Sequence, residues 1–129
     1  MSDVQQLAER CLAVWNEADG QRCRPAVAEL WTEDGSYSDP MSDVRGHDGI
    51  AAVIDGAREM FPGYVFRLLG TVDGHHDVLR FGWELVPADD GESVVVGFDV
   101  AVRAGDGRLT VVHGFLDKGA RCRLTPWSA

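Results

Sequence analysis

Two aspartates, Asp39 and Asp99, have the residue type and setting that acid–base chemistry needs. Asp39 directly precedes Pro40, which restricts it to extended backbone at the end of a short strand over 36–39. Alternation along that strand puts Tyr37 and Asp39 on one face. Asp99 lies in a β-branched run over 94–104. There Val95, Gly97, Asp99 and Ala101 share one face, and Val94, Val96, Phe98, Val100 and Val102 form the other. If the first face is covered, desolvation raises the Asp99 pKa and favours the neutral acid, which can donate a hydrogen bond. A second carboxylate at a strand end can stay ionised and take a proton. Two carboxyl groups in unlike surroundings form the acid/base pair that enolisation, aldol-type cyclisation or water-assisted ring opening requires. Plain structural roles are open for the same residues: Asp39 can cap the turn around Pro40, and Asp99 can face solvent beside Arg103.

Aromatic residues supply candidate binding walls. Trp15, Tyr37 and Trp83 suit a cavity for a flat ring, each offering an apolar body and a polar tip. Trp31 and Phe81 are assigned to the core, and Trp15 can serve either purpose. Cys11 reads as an inert buried thiol, because no histidine lies near it in sequence to lower its pKa. His47, His75, His76 and His113 form no metal-ligand pattern, and His75-His76 reads as a hairpin tip. His113 shares a strand face with Val111 and Phe115, which suggests a core or interface histidine. Gly105-Asp106-Gly107 is a turn, with no helix start behind it to bind phosphate. Neither a nucleophile elbow nor a dinucleotide fingerprint is present, and the expected site needs neither metal nor cofactor.

These side chains must be positioned by helices first and strands after. Val4, Leu7, Ala8, Cys11, Val14, Trp15 and Ala18 recur at helical spacing, and Asp19-Gly20 stops that helix. A polar link over 21–24 precedes a short second helix with Pro25 at its first position and Ala26, Val27, Leu30 and Trp31 as its apolar face. A loop over 32–35 leads to the 36–39 strand. A third helix runs from about His47 to Phe61. Strands follow over 64–72, turned by Asp73-Gly74, then over 78–86, 94–104 and 109–116. Leu79, Phe81, Trp83 and Leu85 share a face of the second of these. The order predicts an α+β fold: a cone-shaped half-barrel with three N-terminal helices on a strongly curved, mainly antiparallel sheet.

The chain has 129 residues, which suits one domain, expected over 1–118 with a C-terminal tail over 119–129. A formal net charge of −9 repels phosphate, so neither nucleic acid nor an anionic membrane is an expected partner. No apolar run reaches bilayer-spanning length, and the first residues lack the pattern of a signal peptide. Cys11, Cys23 and Cys122 are odd in number and widely spaced, which suggests reduced thiols in the cytoplasm. Large apolar side chains on the outer sheet face point to a two-fold homodimer through that face.

Two stretches resemble a known superfamily. Trp31-Thr32-Glu33-Asp34-Gly35-Ser36-Tyr37-Ser38-Asp39-Pro40, followed by Val44-Arg45-Gly46-His47-Asp48-Gly49-Ile50, is similar to the acidic turn, strand, Asp-Pro and pre-helix glycine of nuclear transport factor two-like domains. Gly97 to Arg103, Gly107-Arg108-Leu109 and Phe115-Leu116-Asp117 fit the C-terminal strands of the same group. The group includes ketosteroid isomerases, SnoaL-like polyketide cyclases and limonene epoxide hydrolase, and the resemblance spans about Val4 to Lys118. It implies that Asp39 falls at the general base of the isomerases, and Asp99 at their protonated acid that donates to a developing oxyanion. The companion tyrosine of that oxyanion site would lie on helix one near Cys11, where this chain has none. Arg80-Phe81-Gly82 stands where the hydrolase would have its Arg-x-Asp pair. The resemblance therefore implies a SnoaL-like protein with one of two functions. It is either a cofactor-free isomerase or cyclase acting on a small hydrophobic carbonyl compound, or a non-catalytic ligand- or protein-binding module.

Overall fold

The computed structural model describes residues 3–89 and 91–118. The expected tail over 119–129 lies outside the described residues. Helices α1 (Asp3–Trp15) and α2 (Gly20–Leu30) precede strands β1 (Trp31–Asp39) and β2 (Ser42–Arg45). Then come helix α3 (His47–Met60) and strands β3 (Tyr64–His75), β4 (Val78–Pro87), β5 (Val95–Arg103) and β6 (Leu109–Lys118). The strands form one six-stranded sheet in the order β2-β1-β6-β5-β4-β3. Among the described residues only β1 and β6 pair in parallel, and the other four pairings are antiparallel. The α+β cone is as expected: three helices pack on a curved, mostly antiparallel sheet.

Periodicity explains which faces meet. α1 buries Leu7, Ala8, Cys11, Leu12 and Val14, and α3 buries Ile50, Ala51 and Ile54. Against them stand the inward residues of β4 (Leu79, Phe81, Trp83 and Leu85) and of β5 (Val95, Gly97, Asp99 and Ala101). Trp31 and Phe81 are fully buried, the core role expected for both. Each large side chain so buried stabilises the fold by about 1.5–3 kcal/mol.

Several local boundaries differ from the sequence reading. Residues 21–24 are helical, because Asp19 accepts a hydrogen bond from the Gln21 backbone N–H at 2.9 Å and starts α2 before Pro25. Pro25 therefore sits inside the helix. Trp31 begins β1 rather than ending α2, and residues 32–35 continue that strand. The β1–β6 register shifts between Trp31 and Ser36, and Gly35 tucks against the Trp31 ring where a Cβ would come within 2.8 Å. α1 ends at Trp15 because the Asn16 side chain exchanges two hydrogen bonds, both 2.8 Å, with the Phe66 backbone on the edge strand β3. Asp73 and Gly74 remain in the ladder opposite Arg80 and Leu79, and the hairpin turns at His76, whose φ is +52°. His113 is exposed, not core, and bonds the Ser38 Oγ through Nδ1 at 3.0 Å.

Candidate functional site

Parallel pairing of β1 with β6, and antiparallel pairing of β6 with β5, brings Asp39 and Asp99 to either side of one strand. Asp99 lies opposite Gly114, while Tyr37 and Ser38 lie opposite Val112 and His113. The two aspartate-bearing strands are therefore two strand spacings apart, about 10 Å. Gly114 lies between them with no side chain. A Cβ there would sit 3.1 Å from the Asp99 Oδ1, 3.1 Å from the Tyr37 hydroxyl and 3.4 Å from the Asp39 Cβ. The missing methyl leaves the space in which these groups converge.

Each polar group is held by a specific partner. The Tyr37 hydroxyl donates to the Asp39 Oδ2 at 2.8 Å, and the Met41 backbone N–H donates to the Asp39 Oδ1 at 2.8 Å. The second bond closes the turn at Pro40, so Asp39 caps that turn and also faces the site. The Trp83 indole N–H donates to the Asp99 Oδ1 at 3.0 Å. Gly97 makes room for that indole, since a Cβ at Gly97 would meet the Trp83 ring at 2.7 Å.

Burial sets the protonation states. Asp99 is 5% exposed, and desolvation pushes its pKa up to about 7. The Trp83 hydrogen bond opposes this rise and the Asp39 charge adds to it. Near neutrality Asp99 can therefore give or take a proton. Tyr37 is held well above the usual phenol range, first by burial and then by the charges of Asp99 and Asp39, so it stays a donor. Burial, reinforced by Asp99, also pushes the Cys11 thiol up. This buried thiol lies on helix one near where the resemblance implied a tyrosine, and its raised pKa fits the inert role expected of it.

A cavity of about 80 Å³ opens over these groups. Among the described residues, Asp39 and Asp99 are the only carboxyl side chains lining it, and Tyr37, Trp15 and Trp83 line it with them. The five residues proposed from sequence thus all reach one cavity. Sequence reading missed Phe61, Phe66, Met41 and Gly114, which line it too. Gly114 left a signal, a lone glycine inside a strand, which marks a close approach. Phe66 links the walls by edge contacts, with ring centroids 5.5 Å from Trp15 and 5.4 Å from Trp83. Its strand alternates too weakly in burial to reveal an inward face from sequence. Among the described residues, no group of three or more His, Cys, Asp or Glu side chains could hold a metal ion.

Comparison with known proteins gives the family. The sequence profile of the SnoaL-like domain matches residues 8–112. This chain belongs to the SnoaL-like family. A proposed isomerase of that family from Agrobacterium tumefaciens is 44% identical over 91% of this chain and 99% of its own, with a TM-score of 0.86. A proposed SnoaL-like polyketide cyclase from Jannaschia matches 100% of this chain and 96% of its own at 19% identity, TM-score 0.70. A nuclear transport factor two-like protein with a cystatin-like fold from Novosphingobium aromaticivorans covers 94% of this chain and 84% of its own at 25% identity, TM-score 0.65. No match was found among curated proteins. In this SnoaL-like chain the hydrogen bonds to the two aspartates' side chains come from the sheet and from the turn after β1. Tyr37 on β1 and the Trp83 indole on β4 stand beside the aspartates, and helix one contributes no tyrosine.

Proposed function

We propose that this SnoaL-like protein is an acid–base isomerase or cyclase acting on a small, flat, mostly apolar carbonyl compound. The observation that supports it best is the convergence of Asp39, Tyr37 and Asp99 around Gly114 on one cavity wall. In this reading Asp39 takes a proton from the carbon next to the carbonyl. Protonated Asp99 donates to the carbonyl oxygen as negative charge develops there. Tyr37 fixes the orientation of Asp39, and Trp83 fixes that of Asp99. The proton on Asp39 then returns to a different carbon in an isomerisation. In a cyclisation, the enolate carbon instead attacks a second carbonyl of the same molecule. In the cyclisation the proton on Asp39 goes to the new alkoxide oxygen, and neither route needs a cofactor, because both rearrange bonds and protons with no net oxidation or reduction. Trp15, Tyr37 and Trp83 bind the ring, and Met41, 50% exposed, sits at the rim.

The test uses cyclic ketones and 1,3-diketones in D2O, with deuterium entry beside the carbonyl followed by NMR. Catalysed exchange that is lost in both Asp39→Asn and Asp99→Asn supports the reading. Tight binding of the same ketones and of phenols, with exchange no faster than in buffer, favours a non-catalytic binding module instead.

The outward face of β5 and β6 favours a homodimer through the sheet. Phe98 and Phe115 stack there at 4.9 Å, and Phe115 is 47% exposed. A cytoplasmic setting suits the free, buried thiols of Cys11 and Cys23. Among the described residues no helix is long and apolar enough to cross a membrane.

A further inference from the structure

A second cavity, of about 230 Å³, adjoins the first near the ends of α1 and α3. Trp15, Ala57, Phe61, Phe66 and Leu85 line both spaces. A single layer of side chains therefore separates them. Trp15, Phe61 and Phe66 are only half-buried, which leaves them freedom to turn. The inner space of about 80 Å³ is smaller than the ~150 Å³ cavity that holds a benzene ring, so a ring seated beside the aspartates must turn Trp15, Phe61 or Phe66 aside towards the outer space. Joined, the two spaces reach the lower end of the roughly 300–1,000 Å³ usual for ligand pockets.

The outer space differs in chemistry. Ala18, Arg58 and Tyr64 line it and not the inner one. Arg58 is fixed in place: Nη1 donates to the Glu17 carbonyl oxygen and Nη2 pairs with Asp55. Its side chain is 22% exposed, and the fork of five N–H donors has some to spare. Asp55 already balances its charge, so the wall offers donors with little net positive field. The Tyr64 hydroxyl has no hydrogen-bond partner among the described residues.

We propose that the ligand has two parts: a carbonyl-bearing ring in the inner cavity, and a tail ending in an uncharged acceptor held by Arg58 and Tyr64 in the outer one. The acceptor is an amide, ester or ketone oxygen. This inference rests on the acid–base reading of the inner cavity and adds the substrate class.

Calorimetric titration of four probes tests it. All share one cyclic-ketone head; one has no tail, and three carry equal tails ending in a methyl, an amide or a carboxylate. The amide tail is expected to bind about tenfold tighter than the methyl tail, the worth of one or two neutral hydrogen bonds. The carboxylate tail is expected to gain less than the amide. Tyr64→Phe and Arg58→Met each shrink the amide's advantage and leave the bare head unchanged. Ala18→Leu, at an exposed position that folding tolerates, narrows the outer cavity and weakens only the tailed probes. Equal binding of amide and methyl tails, a carboxylate that binds tightest, or indifference to Ala18→Leu overturns the two-part ligand while leaving the inner site standing. Failure of the bare head to bind overturns both readings.

Discussion

The Trp83 indole N–H bonds the Asp99 carboxyl oxygen at 3.0 Å inside the core, and this one donor works against the burial that surrounds it. Without it, desolvation and the Asp39 charge would carry Asp99 still further towards the neutral acid. Trp83→Phe removes the donor and keeps most of the ring. The Asp99 titration midpoint, followed by carboxyl-carbon NMR, is expected to move above about 7. An unmoved midpoint would show that the bond contributes nothing to the carboxylate.

Asp99 also ties stability to pH. Its pKa is 3.8 ordinarily and about 7 in the fold. Between those values the unfolded chain has released the proton and the folded chain still holds it, so stability falls as pH rises through that window. Above about pH 7 the full penalty is present, of order 4 kcal/mol at most. Asp99→Asn is always neutral and can still accept from Trp83. Urea unfolding should find the variant more stable than the parent by a few kcal/mol at pH 8, with the gap closing by pH 4. A gap that stays constant across the range would contradict the buried, raised carboxyl.

Gly114→Ala places a methyl 3.1 Å from both the Asp99 Oδ1 and the Tyr37 hydroxyl. Those polar groups must give way by a few tenths of an ångström. Ketone exchange is expected to fall by about tenfold, less than the roughly 10²-fold that a misplacement of about 1 Å costs. Unfolding free energy should drop by only about 1–3 kcal/mol. Loss of stability without loss of exchange would mean that this wall is packing alone.

Tyr37→Phe separates orientation from proton transfer. Asp39 keeps its bond from the Met41 N–H and loses the one from Tyr37. Exchange is expected to slow by about tenfold, against a loss of about 10²–10⁴ for Asp39→Asn. Rates for the two variants that coincide would place Tyr37 in the proton-transfer step itself.

Phe115→Arg puts a charge on the outer sheet face beside Phe98, on the opposite side of β6 from the cavity-lining Gly114 and Leu116. Sedimentation is expected to show a dimer for the parent and a monomer for the variant. A parent that sediments as a monomer would remove the sheet-face association.

Much of this arrangement was legible from local pattern alone. Alternation along β5 predicted that Asp99 shares a face with Val95, Gly97 and Ala101, and that face is the buried one. Period-two and helical spacing report which side of an element is apolar, and Pro40 reports that Asp39 ends a strand. Sequence also identified Asp39, Asp99, Trp15, Tyr37 and Trp83 as one candidate set, and all five line the same cavity. Element boundaries were less legible. Trp31 fits the apolar spacing of the second helix yet begins β1, and Asn16 ends α1 through a bond to Phe66, fifty residues away. The parallel pairing of β1 with β6, which puts Gly114 between the two aspartates, depends on contacts across most of the chain. The choice of Trp83 as the donor to Asp99 depends on the β4–β5 register and on the space left by Gly97. Local sequence determined which side chains face inward, because that follows from the geometry of one element. Only the tertiary structure decided which of them meet and how far Asp99 is dried, because desolvation is set by everything packed around a group.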